Sequence, residues 1–406
     1  MSYYPDSGGR AARKRPPRGL IFLGLCCAIL SLALAGAAPA SGQTPEGLYV
    51  RNGVLMRHGQ PYHGIGANYQ ALFARLLINK DDTSSLENLA ALGKAGIPFV
   101  RFRASGFNPK NQKLYLEDRA EFFRRMDRVV QSAEQNHVGL IPSLFWRLRT
   151  VAEVVGEQPG QFGNPESKSS AFIRQFTREM VGRYKNSPAI WGWEFGNEAN
   201  LATDIPPTQP RRRQLGGRFG GLDTAGPDRP VFTSEALRAV HTLFAKTVRE
   251  IDSSRMIDTG CGLPRPAAWH NARGQFRQPD NESQFTSVLL AQNPAPVDVI
   301  SVHIYEKPLQ DFHFGSGQVM PFIAGLMQTS AQARKPLFIG EFPTRNRAQT
   351  DEFLSAIEEN HVPLSAFWVF DYPPQEATMN VDFHNERAFV IDKVAKANAV
   401  LRADSH

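Results

Sequence analysis

The chain has 406 residues, of which 42% are hydrophobic, so it can form a large core and is too apolar for a disordered protein. The formal net charge is +7, but residues 1–40 hold five basic residues and one acidic residue, which leaves +3 for the remainder. This small excess argues against a nucleic-acid-binding protein.

Residues 1–40 have the pattern of an export signal. A basic stretch ends at Arg18, an apolar run follows at 20–38, and Ala38-Pro39-Ala40 forms an A-x-A cleavage site. The apolar run is close to the length that spans a bilayer, so the leader is either a cleaved signal peptide or a membrane anchor. We therefore expect an exported protein, secreted or periplasmic, in which residues 41–406 form one domain. We expect this protein to be a monomer.

Two of the three cysteines lie within the leader, and Cys261 is the only cysteine beyond it. A single thiol cannot form an internal disulfide or a multi-cysteine zinc site. We expect Cys261 to be a small packing residue rather than a nucleophile.

The segment 49–56 predicts a β-hairpin, because Asn52-Gly53 suits a two-residue turn. Short apolar segments then alternate with helical patterns, of which 116–135 and 169–184 are the clearest, and Ser169, Ser234 and Asp351 are expected helix starts. Eight segments are predicted to be strands: 63–68, 99–103, 139–145, 190–198, 256–260, 297–305, 336–342 and 365–370.

Eight strands alternating with helices predict a (β/α)8 TIM barrel, preceded by the N-terminal β-hairpin. The alternative is an open doubly wound sheet, whose nucleotide-binding form carries a glycine fingerprint after the first strand. Here Asn68-Tyr69-Gln70 follows that strand instead. The long segments 146–166 and 199–232 follow the third and fourth strands and would lie at the catalytic rim.

Two predicted strands end in glutamate. The fourth ends in Asn197-Glu198 and the seventh in Glu341, and these strands stand nearly opposite each other across a barrel mouth. A pair of carboxyl groups is suited to the hydrolysis of an acetal, because one protonates the leaving oxygen while the other meets the oxocarbenium-like carbon.

On these residues, the chain resembles the clan A glycoside hydrolases, and within them family 5, which includes cellulases and mannanases. The resemblance covers about residues 47–402 and implies a (β/α)8 barrel that acts with retention of configuration and without a cofactor or metal ion. It also implies that Glu198 is the acid/base, that Glu341 is the nucleophile and that Asn197 holds the sugar 2-hydroxyl group.

Further positions agree with the family pattern. His303 and Tyr305 match its His-x-Tyr in the sixth strand, and the resemblance implies that the tyrosine binds the nucleophile. Trp368 matches the tryptophan of the eighth strand, a platform for the sugar beside the cleaved bond. Arg101 matches the arginine of the second strand. Arg103 lies on the same face of that strand and is the alternative candidate for this role.

The chain departs from the family at the end of the third strand. The family has a histidine there, whereas Phe145 and Trp146 stand at this point, and Trp146 could replace a polar contact by a stacking surface. We interpret Glu194 as a carboxylate of the barrel interior that pairs with Arg101 or Arg103. Asn68 follows the first strand, and Tyr69, Trp269 and Tyr372 are candidates for outer sugar sites.

The leading hypothesis is a retaining β-glycoside hydrolase, endo-acting on a β-1,4-linked mannan or glucan, with an oligosaccharide or polysaccharide as its partner. The alternatives are a transglycosylase, which would use the same intermediate, and a non-catalytic glycan-binding barrel. A metal-dependent barrel hydrolase is disfavoured, because only His303 of the ten histidines is well placed as a ligand.

Overall fold

The computed structural model describes residues 45–108, 112–205, 232–276, 278–312, 314 and 316–403. The predicted leader and most of the predicted loop 199–232 lie outside these residues. Within the described part, no helix is both long and apolar enough to cross a membrane.

The N-terminal hairpin is present and gains a third strand. Its antiparallel strands are β1 (Tyr49–Arg51), β2 (Val54–Arg57) and β3 (Gln60–Pro61). Asn52 and Gly53 have φ values of 56° and 83°, the positive φ that a two-residue hairpin turn requires. The prediction of a hairpin at 49–56 is therefore confirmed.

Eight further strands form one parallel sheet in the order β8-β7-β6-β5-β4-β11-β10-β9. At the two ends of this order, the backbone N–H of Asp298 donates to the carbonyl of Ile257 (3.0 Å), which joins the approach to β9 to β8. The (β/α)8 barrel is confirmed, and each strand falls within or overlaps one predicted segment. The strands are β4 (Gly64–Asn68), β5 (Phe99–Arg103), β6 (Gly139–Phe145), β7 (Gly192–Gly196), β8 (Met256–Asp258), β9 (Ile300–His303), β10 (Leu337–Pro343) and β11 (Leu364–Trp368).

Helices cover the outside of this sheet. Each long helix packs an apolar stripe against the outward-facing strand residues, which accounts for the largest buried cluster. The helices are α1 (Ala71–Ile78), α2 (Ser84–Lys94), α3 (Leu114–Glu117), α4 (Arg119–Gln135), α5 (Leu148–Val155), α6 (Lys168–Tyr184), α7 (Ser234–Arg249), α8 (Ala268–Asn271), α9 (Glu282–Gln292), α10 (Glu306–Gln310), α11 (Val319–Ala333), α12 (Arg347–Glu359) and α13 (Phe389–Ala403).

Of the three expected helix starts, Ser234 is confirmed and the other two are wrong. Ser169 and Asp351 lie inside α6 and α12, and Ser234 is the first residue of α7. The side chains that accept a hydrogen bond from the backbone N–H three residues later, as an N-cap does, are those of Ser167, Thr233 and Asn346.

The hairpin covers the N-terminal end of the barrel. Leu48 and Leu55 pack with inward-facing strand residues such as Phe99. The backbone N–H of Leu48 donates to the carbonyl of Trp191 (2.8 Å), and that of Met256 donates to the carbonyl of Leu48 (2.6 Å). Because this end is filled with apolar side chains, the polar side chains of the interior lie at the opposite, carboxyl end of the strands.

Candidate active site

Glu198 and Glu341 converge at the carboxyl end of the barrel. One oxygen of each carboxyl group and one nitrogen of His303 all lie within 4.8 Å of one another. Two carboxyl groups about 5–5.5 Å apart are typical of retaining glycosidases, whereas inverting enzymes leave about 6.5–9.5 Å for a water molecule. The spacing of this pair therefore fits a direct attack on the sugar by one carboxylate.

A β-bulge directs Glu341 into the barrel. In the pairing of β10 with β9, Ile339 lies opposite Val302 and Glu341 lies opposite His303, so Gly340 is an extra residue. Without this insertion, strand alternation would place residue 341 on the same outward face as Ile339. A side chain at position 340 would lie 2.9 Å from Nε2 of His303, which explains the glycine.

Glu198 lies on a sharp turn after β7. Its φ is 50°, a left-handed conformation that is uncommon for residues other than glycine, and its backbone N–H donates to the carbonyl of Gly260 (2.8 Å). A Cβ atom at Gly262 would lie 3.3 Å from Oε1 of Glu198, so the chain passes close to this carboxyl group. Backbone strain of this kind is frequent at functional sites.

Glu341 is buried, and both oxygens of its carboxyl group accept hydrogen bonds. Arg101 donates from Nη1 to Oε1 (3.0 Å), and the hydroxyl of Tyr305 donates to Oε2 (2.6 Å). Burial raises the pKa of Glu341, and the charge of Glu198 acts in the same direction, whereas Arg101 and Tyr305 favour the ionised form. Protonation of Glu198 therefore removes a repulsion and makes Glu341 easier to ionise.

His303 lies between the two carboxyl groups. Its Nδ1 is 3.0 Å from Oε1 of Glu198 and 3.4 Å from Oε1 of Glu341. Burial lowers the pKa of His303 to about 4, so the ring is neutral near pH 7. The hydrogen bond between His303 and Glu198 is made through Nδ1.

Arg101 connects the parts of the site. It is fully buried, and its Nε donates to Oε2 of Glu194 (2.5 Å). Its Nη1 donates to Oδ1 of Asn68 (2.8 Å) as well as to Glu341, and its Nη2 donates to Oδ1 of Asn197 (2.8 Å). Arg101, and not Arg103, therefore contacts Glu341, and Glu194 pairs with Arg101.

Asn68 is fully buried and its amide supports the bulge. The Nδ2 atom donates to the carbonyls of Gly340 (2.8 Å) and Phe367 (3.1 Å), while Oδ1 accepts from Arg101. This amide has no surface available for a sugar. Asn68 therefore holds the bulge and Arg101 in position.

Trp146 and Trp368 form an aromatic pair beside the carboxyl groups. Their rings are nearly parallel, at 19° and 6.2 Å, and Nε1 of Trp368 donates to Oε1 of Gln375 (2.9 Å). Tyr305 and Tyr372 pack against this pair. Phe145 lies instead in the layer between strands and helices, so the residue of the third barrel strand that reaches the mouth is Trp146.

Two candidates for outer sugar sites have different surroundings. Tyr69 is fully buried and its hydroxyl donates to Oδ2 of Asp371 (2.7 Å), so the prediction of a sugar contact there was wrong. Trp269 is half-buried and the guanidinium of Arg273 lies 3.6 Å from its ring centre.

Comparison with known proteins agrees with this arrangement. The sequence profile of Cellulase (glycosyl hydrolase family 5) matches residues 74–372. The chain belongs to glycosyl hydrolase family 5. This family 5 chain is 28% identical over 217 residues to the probable mannan endo-1,4-beta-mannosidase C of Aspergillus terreus, a match of 45% of this chain and 51% of that protein. The chain thus spans about half the length of the curated relatives it matches.

Solved structures show the same fold. The endo-1,4-beta-mannanase of Rhizomucor miehei aligns with a TM-score of 0.63 at 16% identity, over 88% of this chain and 99% of that one. The exo-beta-1,4-mannosidase of Opitutaceae bacterium strain TAV5 aligns with a TM-score of 0.57 at 16% identity, over 87% of this chain and 63% of that one. At these identities, the similarity concerns the (β/α)8 barrel alone.

The family 5 site contains a buried carboxyl group that the sequence did not indicate. Asp258 lies opposite Glu194 in the pairing of β7 with β8, and both are fully buried. Burial raises the pKa of Asp258 well above its ordinary value, and the charge of Glu194 and a hydrogen bond to it add to this shift. The protonated form of Asp258 is therefore favoured beside Glu194, whose Oε2 accepts a hydrogen bond from Arg101.

Cys261 is fully buried, and burial raises the pKa of its thiol to about 12. The thiol is therefore protonated and has the character of a packing residue rather than of a nucleophile.

Among the residues that the structure describes, Glu198, His303 and Glu341 are also close enough together to ligate a metal ion. Both oxygens of Glu341 already accept hydrogen bonds, from Arg101 and from Tyr305. A cation at this point would therefore have to approach a guanidinium group and replace one of these bonds.

Proposed function

We propose that this family 5 chain is a retaining β-glycoside hydrolase. The observation that supports this proposal most directly is the approach of Glu198 and Glu341 to within 4.8 Å at the open end of the barrel. In the proposed mechanism, Glu341 attacks the anomeric carbon while Glu198 donates its proton to the leaving oxygen, which breaks the glycosidic bond and forms a glycosyl-enzyme. Glu198 then accepts a proton from water, which attacks the same carbon and releases Glu341.

The neighbouring side chains suit these roles. Arg101 and the hydroxyl of Tyr305 hold the carboxylate of Glu341 in one orientation and favour its ionised form. Glu198 is more exposed than Glu341, so solvent can supply its proton. Asn197 is half-buried and its oxygen is fixed by Arg101, so its amide N–H groups can donate to a sugar hydroxyl.

We propose that the substrate is a β-1,4-linked mannan, cleaved at internal bonds, and that a β-1,4-glucan is the second candidate. The curated relative from Aspergillus terreus and the structure from Rhizomucor miehei both belong to proteins named for endo action on mannan. Trp146 and Trp368 line the site with nearly parallel rings, and aromatic rings are surfaces on which sugar rings pack.

A substrate panel tests this proposal. The protein is incubated with β-mannan, glucomannan, β-glucan and matched aryl glycosides, and the first-formed anomer is followed by proton NMR. We expect hydrolysis of mannan with retained β configuration and a spread of oligosaccharide lengths early in the reaction. Release of monosaccharide alone would contradict endo action, longer products would indicate transglycosylation, and binding without turnover would refute catalysis.

We also propose that the chain is exported as a monomer, with residues 41–406 as one catalytic domain. The basic and apolar pattern of residues 1–40 supports export. N-terminal sequencing of the exported protein distinguishes cleavage after Ala40 from an uncleaved anchor, and its mass in solution tests the monomer. A chain retained in the cytoplasm would contradict export.

A further inference from the structure

Arg103 is a cation of the barrel mouth that the proposed catalytic machinery does not use. Alternate residues of β5 face inward: Phe99 lies in the apolar interior, Arg101 contacts Glu341, and Arg103 is the next inward position toward the carboxyl end. Arg103 is largely buried, and its Nε has no hydrogen-bond partner among the described residues.

A second arginine lies beside it. Arg147 is exposed and lies just after the neighbouring strand β6, and its positive charge acts on Arg103. Within the part of the chain that the structure describes, no carboxylate forms an ion pair with either guanidinium. The other group that interacts with Arg103 is the hydroxyl of Tyr372, a member of the aromatic cluster with Trp146 and Trp368.

This arrangement is unfavourable in the free protein. A buried charge without a partner costs free energy, and two adjacent guanidinium groups repel each other. Burial and the charge of Arg147 lower the pKa of Arg103 to about 10, which still leaves it charged near pH 7. An anion placed between the two arginines would remove both penalties, because a guanidinium group binds a carboxylate through two parallel hydrogen bonds.

We propose that Arg103 and Arg147 form a subsite for a carboxylate carried by the glycan, so that the preferred substrate is an acidic β-linked glycan with a uronic acid residue next to the cleaved bond. This inference rests on the proposed function and adds to it: neutral mannan remains a substrate, and a β-linked glycan that carries a carboxylate is cleaved more efficiently. The aromatic pair would hold the sugar ring, while the two arginines recognise the negative charge of the same or the adjacent residue. A neutral mannan would leave both guanidinium groups without a partner.

Matched oligosaccharides test this subsite. The value of kcat/KM is measured for a β-1,4-linked oligosaccharide with one uronic acid residue, for its carboxyl-reduced neutral counterpart and for a sulfated counterpart. We expect the acid to be preferred over the reduced form by about tenfold or more, mainly through KM, since hydrogen bonds to charged groups are the stronger ones. Sodium chloride should weaken this preference.

Variants show whether these two arginines are responsible. Arg103→Gln should reduce the preference for the acid to near unity, and Arg147→Gln should reduce it in part. Arg149→Gln is the matched control, because it removes the same charge from the same segment but from an arginine that pairs with Glu153, and it should keep the preference within twofold. The Arg103→Gln variant should unfold at the same or a higher temperature than the wild type, because it loses an unpaired buried charge.

The outcomes separate this inference from the proposed function. Equal cleavage of the acid and its reduced form, or an equal loss of preference in Arg149→Gln, would overturn the subsite while leaving the hydrolase intact. Preference for the sulfated form over the acid would overturn the assignment to a carboxylate. If no oligosaccharide were cleaved, the proposed function would fail, and calorimetric titration with the acid and its reduced form would still test the subsite, with equal affinities refuting it.

Discussion

At the scale of single residues, the site depends on Arg101. One buried guanidinium group donates to Glu194, Asn68, Asn197 and Glu341, so it fixes the candidate nucleophile and neutralises a pocket that contains several acids. The sequence indicated both Glu198 and Glu341, because each ends a predicted strand. It did not decide whether Arg101 or Arg103 contacts Glu341. Strand alternation places both side chains on the same face, and only their depth within the barrel differs.

Replacement of Tyr305 by phenylalanine tests the hydrogen bond to Glu341. The hydroxyl of Tyr305 favours the ionised carboxylate, so its removal raises the pKa of Glu341 further. The acidic limb of the kcat/KM profile should therefore move to higher pH, and kcat should fall by about 10- to 100-fold. Tyr184→Phe, which removes a hydrogen bond to Asp127 on the outer helix layer, is the control and should leave the profile unchanged. An unshifted acidic limb in Tyr305→Phe would contradict the assignment.

The pair of Asp258 and Glu194 gives a prediction for stability against pH. Folding raises the pKa of Asp258 above its value in the unfolded chain. The contribution of this carboxyl group to the free energy of unfolding is therefore fully present below the pKa of the unfolded state. This contribution is lost as the pH rises through the pKa of the folded state. Asp258→Asn keeps a neutral side chain at every pH. Its free energy of unfolding relative to the wild type should therefore improve from pH 4 to pH 8, as measured by denaturant titration.

Glu194→Gln is the contrasting variant. It removes one of the two carboxylates that pair with the fully buried Arg101 and should cost about 3–5 kcal/mol of stability. Asp258→Asn should cost far less at pH 8. Equal losses of stability in the two variants would contradict the protonated form of Asp258.

At the scale of elements, the bulge of β10 directs Glu341 inward. Apolar segments and their spacing predicted all eight strands, because burial between helices imposes that pattern. The same signals could not predict the bulge at Gly340, since it depends on how β10 pairs with β9. The expected helix starts at Ser169 and Asp351 were wrong for a related reason: several adjacent polar residues can cap a helix, and tertiary contacts determine which of them does so.

Gly340→Ala tests the requirement for a glycine in the bulge. The new Cβ would lie 2.9 Å from Nε2 of His303 and would displace this ring or the bulge, with a cost of about 1–3 kcal/mol and a large fall in kcat. Gly325→Ala is the matched control, because this glycine lies within α11 and has no atom within 4 Å of an added Cβ. That variant should be stabilised by about 0.5–1 kcal/mol. Full activity in Gly340→Ala would contradict the role of the bulge.

At the scale of the whole molecule, the barrel separates an apolar end from a polar end. The hairpin and the inward-facing residues around Phe99 fill the N-terminal end, whereas the charged residues gather where the strands end. The sequence predicted the polar end, because the polar positions follow the apolar strands in chain order, but not that the hairpin would cover the opposite end. It did not reveal Asp258, which ends a short strand without a motif, nor that Asn68 and Tyr69 would be buried, since both depend on contacts between distant segments.

In the proposed mechanism, Glu341 forms a covalent bond with the sugar. The most direct measurement is labelling with a 2-fluoro-2-deoxy glycoside that carries a good leaving group, followed by mass spectrometry of the peptides. We expect one label per chain, located on Glu341, and its slow release on addition of an acceptor sugar. A label on Glu198, or turnover with inversion and without a covalent adduct, would contradict it.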